Sequence, residues 1–208
     1  MDIQFFGGNC VVLSNKQVRI VVDDNLADLG GKAVVKEGDT VLFTGSHGQP
    51  AKPAKIIIDQ PGEYEVQGVT INGVAARGHM DEGDQKTATM YKIISDDISV
   101  LVVGHIYPEL NEAQLETIGM VDVMIVPLGG HGYTLDATGA LALIKEMEPK
   151  LVIPTHYADP ELQFPVPQSD LTEALKNLAM EPKETASKLR IRPADLTDVT
   201  QLILLEKS

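Results

Sequence analysis

Five histidines are the residues of this chain whose types and positions could do chemistry: His47, His79, His105, His131 and His156. Four of them follow strand-like runs, His47 after residues 41–43, His79 after 69–76, His105 after 98–103 and His156 after 151–153. A rigid scaffold holds side chains just past the ends of buried strands, so strands lying side by side would bring these imidazoles to one rim. Neutral imidazole is the commonest metal ligand, and zinc takes four ligands in a tetrahedron. Spacing alone leaves two readings open. One is a single divalent ion, zinc first among the choices, held by three or four imidazoles; the other is a pocket whose histidines hydrogen-bond one another and water. With three imidazole ligands a water of pKa about 7 could complete the sphere and attack a polarised carbonyl or phosphoryl group, whereas four would close the site and make it structural.

The elements that must position these residues are mostly short and β-prone. Residues 3–6, 10–13 and 18–22 are apolar runs broken by Gly7-Gly8-Asn9 and Ser14-Asn15-Lys16, which are turn signals. Further strands are predicted at 41–43, 55–59, 63–66, 69–76, 87–94 and 98–103. The period then lengthens. Asn111 with Gln114 has the form of a capping box opening a helix to Ile118, and Thr134 or Asp136 opens a second helix carrying Ala137, Ala140, Leu141, Ile144 and Met147 at helical spacing. Asp170 with Glu173 opens a third. Strands at 123–126, 151–153, 189–192 and 201–205 alternate with these helices. A β-rich half followed by alternating strands and helices predicts two packed sheets with helices outside, in one domain over residues 1–208.

Composition narrows the function classes. The chain has 208 residues, 43% hydrophobic and 23% charged, which is ordinary for a globular core. Its formal charge of −13, with lysine and arginine scattered, argues against nucleic acid as a partner, because affinity for phosphates needs a basic face. There is no basic leader followed by an apolar run and no apolar stretch of about 20 residues, so neither a signal peptide nor a membrane helix is expected. One cysteine, Cys10, cannot build a disulfide framework and fits a reducing cytoplasm; it is read as a small buried residue.

The chain resembles the metallo-β-lactamase superfamily, in particular its small metal-dependent hydrolase-like branch. The resemblance runs over nearly the whole length. Its pieces are Phe6-Gly7-Gly8-Asn9-Cys10, Ile20-Val21-Val22-Asp23, Pro61-Gly62-Glu63-Tyr64-Glu65-Val66, Asp122-Val123-Met124-Ile125-Val126-Pro127-Leu128-Gly129-Gly130 and Pro149-Lys150-Leu151-Val152-Ile153-Pro154-Thr155-His156-Tyr157. It implies an α/β fold of the four-layer αββα type, with a site along one edge of the two sheets.

The resemblance also implies a ligand set, from which this chain departs. The family's loop pattern of three histidines and an aspartate falls on Gly45, His47, Gln49 and Pro50, so only His47 keeps a ligand. The next histidine falls on His79, the bridging aspartate on His105 and the last histidine on His156. Gly8 stands where many relatives carry a histidine. A binuclear centre with its bridging carboxylate is therefore not expected. The first reading is a non-catalytic or weakly active homologue with a histidine-rich pocket for a small molecule, an ion or a protein. A second is a mononuclear hydrolase of esters, lactams or phosphodiesters, in which His105 is a ligand or base. A third is a structural or assembly role.

Three accessory residues complete the candidate set. Asp23 is read as a turn residue near the site that could orient a histidine. Asp81 is read as a solvated loop acid, with a role beside the metal as its alternative. His131, in Gly129-Gly130-His131-Gly132-Tyr133, is read as part of a connecting loop, with anion binding as its alternative.

Overall fold

The computed structural model describes residues 1–45 and 49–208. In chain order the strands are β1 (Asp2–Gly7), β2 (Cys10–Ser14), β3 (Arg19–Val22), β4 (Thr40–Leu42), β5 (Ile56–Ile58), β6 (Gly62–Val66), β7 (Val69–Ala76), β8 (Ala88–Ser95) and β9 (Ile98–Val102). Then follow α1 (Glu112–Ile118), β10 (Val123–Pro127), α2 (Ala137–Met147), β11 (Leu151–Thr155), α3 (Leu171–Leu178), β12 (Pro182–Ala186), β13 (Leu189–Arg190) and β14 (Gln201–Leu205). One sheet has the order β13-β1-β2-β3-β4-β5, and the other β12-β14-β11-β10-β9-β8-β7-β6.

Alternation along the strands explains why the sheets pack face to face. Ile3, Phe5, Val11, Leu13, Ile20, Val22 and Leu42 of the first sheet share one buried core with Ile71, Ile93, Val100, Val102, Val123, Ile125 and Ile153 of the second. Residues of opposite parity in the second sheet, among them Leu101, Met124, Val126 and Val152, pack under Ile118 of α1, Ala140, Leu143 and Ile144 of α2, and Ala174 and Leu178 of α3. The helix starts follow the expected chemistry. Asn111 caps α1 in a full capping box with Gln114, Asp136 accepts from the Gly139 N–H, and Asp170 accepts from the N–H groups of Thr172 and Glu173.

The two packed sheets and outer helices meet the αββα expectation, with a local difference on the first sheet. Its outer face (Cys10, Val12, Val21, Val41 and Phe43) is covered by loop side chains, Leu26, Leu29, Val35 and Leu162, rather than by a helix. The parallel crossover from β3 to β4, usually helical, is irregular here. It is held instead by Asp24, whose Oδ2 accepts from the N–H groups of Val34 at 2.6 Å and Val35 at 2.7 Å. Strand β12 carries no sequence signal: Pro182–Ala186 is almost wholly exposed and lies at a sheet edge.

Candidate functional site

The register of the second sheet brings three histidines to one rim. β9, β10 and β11 are parallel, and β7 runs the same way because β7 and β9 both lie antiparallel to β8. Chain segments leaving β7, β9 and β11 therefore emerge on one side, carrying His79, His105 and His156. β3 and β4 of the first sheet deliver Asp23 and Thr44, and a bridge between Gly45 and Ala88 ties the sheets together beside them. His47 lies outside the described residues.

At the centre is a buried polar chain. Asp23 is 4% exposed, and its carboxylate accepts from Asn9 Nδ2 at 2.6 Å, the Thr44 N–H at 2.7 Å and the Thr44 hydroxyl at 2.6 Å. Asn9 in turn accepts from the Thr155 hydroxyl at 2.7 Å. Burial pushes the Asp23 carboxyl above the ordinary range, outweighing the donors from Thr44 and Asn9 that favour its charge. Asp23 thus reaches the histidines through Thr44: that hydroxyl donates to Asp23, so its lone pair is left for the N–H of His105 Nδ1, 3.4 Å away.

Each described rim histidine has its Nδ1 turned to an oxygen. His79 Nδ1 lies 3.4 Å from the Ile106 carbonyl, a long contact, and His156 Nδ1 lies 2.9 Å from Gln168 Oε1. Gln168 Nε2 donates to the Val166 carbonyl at 3.0 Å, which fixes the amide so that its oxygen faces His156. Nδ1 therefore carries the proton and Nε2 the lone pair. The His105 and His156 rings meet edge to face at 5.0 Å, with Tyr133 against both at 5.5 and 5.7 Å. His105 Nε2 is sealed in this cluster without a hydrogen-bond partner. Burial first, then the charge of a neighbouring histidine, lowers His105 and His156 to about 4 each, so both are neutral at pH 7.

Two glycines allow this approach. A Cβ on Gly104 would stand 2.3 Å from the Thr44 Cβ, and one on Gly129 would stand 1.9 Å from Gln168 Oε1 and 2.4 Å from the His156 carbonyl. His156 itself has a φ of 51°, and its N–H donates to the Gly8 carbonyl at 2.7 Å. In front of the cluster is a cavity of about 530 Å³, lined by Asp23, Phe43, Gln49, His79, His105 and Tyr133 among others.

Two accessory candidates make no hydrogen bond to this polar chain, although Asp81 lines the same cavity. Asp81 accepts from the N–H groups of Gly78 and Thr87 and from the Thr87 hydroxyl, so it staples its own loop; burial pushes its carboxyl up, but these donors hold it below the usual range. His131 is exposed, with a φ of 56°. Asn9, Thr44, Tyr133, Thr155 and Gln168 were not singled out by the sequence patterns, although the Phe6–Cys10 motif contains Asn9 and the Pro149–Tyr157 motif contains Thr155.

The donor chemistry can be compared with the needs of a metal. Lone-pair Nε2 atoms with anchored Nδ1–H groups are the polarity of metal-bound imidazole. Yet among the described residues no three His, Cys, Asp or Glu side chains are grouped closely enough to hold an ion, and the Asp23 carboxylate is engaged by three donors. The described residues do not fit a two-ion centre, and alone they do not complete a one-ion site.

Comparison with known proteins agrees with the architecture. The family model for the beta-lactamase superfamily domain matches residues 2–156. A UPF0173 metal-dependent hydrolase from Pyrococcus horikoshii is 30% identical over 110 residues, 48% of either chain, and one from Thermoplasma acidophilum is 40% identical over 57 residues, 23% of this chain and 25% of that one. The matched segments thus span about half and about a quarter of those relatives. A Thermotoga maritima protein assigned to the metallo-β-lactamase superfamily as a Zn-dependent hydrolase superposes with a TM-score of 0.76 at 24% identity, covering 99% of both chains. A metallo hydrolase from Ignicoccus hospitalis gives 0.62 at 18% identity, covering 100% of this chain and 95% of that one. At these identities the structures speak for the fold alone. With well over half of its length matched by the family model, the chain belongs to the beta-lactamase superfamily, as its motifs implied.

Proposed function

We propose that this chain is a superfamily member without the two-ion hydrolytic centre, non-catalytic or feebly active, whose histidine pocket binds a small ligand. The observation that carries this reading is the state of His105. In the family pattern its place belongs to a bridging carboxylate, whereas here a neutral imidazole of lowered pKa packs edge to face on His156. An uncharged ring cannot supply the negative bridge that holds a nucleophilic water between two cations. Gly45 and Pro50 at the loop positions take two imidazoles out of the donor set, and Gln49 takes out the charge of its carboxylate.

A second reading, one zinc or similar ion supporting hydrolysis of an ester, lactam or phosphodiester, draws support from the Nδ1 anchoring of His79, His105 and His156 and from relatives named metal-dependent hydrolases. It requires His47 to complete the ligand set.

Elemental analysis of protein purified without an affinity histidine tag or added metal, paired with turnover assays on ester, lactam and phosphodiester substrates, separates the two. The first reading expects no turnover that zinc stimulates. Zinc-dependent turnover abolished by His79→Ala would replace it with the second.

A further inference from the structure

On the outer face of the first sheet, where loop replaces helix, the irregular crossover leaves a second cavity of about 570 Å³. Its floor is apolar, formed by Phe6, Leu26, Val34 and Leu162. Its walls carry Arg19, Lys32, Lys36, Lys52 and Lys207, with Glu161 as the one lining acidic side chain and the last residue, Ser208, beside Lys207. That is a reversal of the chain's balance, which has 17 lysines and arginines against 30 aspartates and glutamates. Two of the five cations are already engaged, Arg19 by Asp39, and Lys207 by Asp159 at 2.7 Å and Glu161 at 2.8 Å. Among the described residues, Lys32, Lys36 and Lys52 have no carboxylate, side-chain or terminal, within 4.0 Å.

We infer that this cavity binds a small organic phosphate of nucleotide size, its phosphates met by Lys32, Lys36 and Lys52 and its ring seated on Phe6 and Leu162. Ammonium groups pair with phosphate as point charges, and three lining one cavity suit a diphosphate or triphosphate better than a single carboxylate. The volume lies in the range of about 300–1,000 Å³ common to small-molecule sites and is far more than a bare phosphate fills. The half-buried Phe6 presents an apolar surface for a ring. This site is independent of the histidine rim and of any ion there.

The test is calorimetric titration of the intact protein with ATP and, separately, with inorganic pyrophosphate. EDTA is included so that no ion at the histidine rim can recruit phosphate. ATP is expected to bind at one site, to weaken as salt rises, and to lose at least tenfold in affinity in Lys32→Glu/Lys36→Glu, while the same reversal at Lys145 and Lys176 changes nothing. All four lysines are exposed, so folding is unaffected. Phe6→Leu keeps an apolar floor without the ring and is expected to weaken ATP but not pyrophosphate. No ATP binding at millimolar concentration, or binding indifferent to the Lys32 and Lys36 reversals, overturns the site. Pyrophosphate binding as tightly as ATP, with Phe6→Leu silent, overturns the organic body of the ligand.

Discussion

Thr44 stands between Asp23 and His105, its hydroxyl 2.6 Å from Asp23 Oδ2 and 3.4 Å from His105 Nδ1. One side chain thus links the first sheet's buried carboxylate to the second sheet's half-buried imidazole. Thr44→Val keeps the shape but removes the hydroxyl, leaving Asp23 one donor fewer and His105 Nδ1 without its acceptor. A loss of about 1–3 kcal/mol is expected from stranding buried polar groups, with Thr44→Ser recovering most of it. Urea denaturation of the three proteins measures this.

Acid should loosen the fold through His105 and His156. Both have folded pKa values of about 4, below the ordinary 6.5. Between those values the unfolded chain binds more protons than the folded one, so their contribution is complete above pH 6.5 and is lost as pH falls towards 4. Asp23, raised by burial, acts in the opposite direction, so the informative quantity is the difference between wild type and His105→Gln. Melting temperatures in EDTA should converge as pH falls through this window. A constant gap from neutral pH down to 4 would contradict the lowered pKa of His105.

Gly104→Ala places a methyl 2.3 Å from the Thr44 Cβ at a residue with a φ of 69°. Backbone at the ends of β4 and β9 must then separate, at a cost of about 1–3 kcal/mol or more from overpacking. The accompanying readout is the His105 ring resonance, which should move with the loss of its Thr44 contact. Equal stability and an unmoved resonance would show that the two strand ends are not in contact as described.

Gln168→Leu removes the acceptor that fixes His156. Nitrogen NMR of the imidazoles should show His156 leaving a pure Nδ1–H tautomer for a mixture, while His79, anchored on the Ile106 carbonyl, stays as it is. No change at His156 would mean that the protein sets its tautomer elsewhere.

Much of this architecture is legible in the residues because alternation and capping are local. The runs that became β2, β7, β9, β10 and β14, and the caps at Asn111, Asp136 and Asp170, announce themselves within a few positions. The polar chain of the site is not local. Asn9, Asp23 and Thr44 are single polar residues at the ends of neighbouring strands of the first sheet, brought together by its strand order, and only the packing of the second sheet brings Thr155 to them. Polar types that are usually exposed give no sign in sequence of being buried. Asp81 reads as a solvated loop acid with a role beside a metal as its alternative, and its donors come from its own loop. β12 is silent for a different reason: an edge strand with its side chains in solvent needs no apolar pattern.

The crossover between β3 and β4 contributes to both cavities: Asn25 and Asp28 line the one before the histidines, and Leu26, Lys32 and Val34 line the other. It has no helical ladder of its own, so the Val34 and Val35 amides depend on one carboxylate, that of Asp24. Breaking that attachment releases both amides together, while Leu29 stays held by the Gln163 N–H and Leu26 by its burial in the core. Hydrogen exchange at Val34 and Val35 should therefore proceed as one opening, faster in Asp24→Asn than in the wild type.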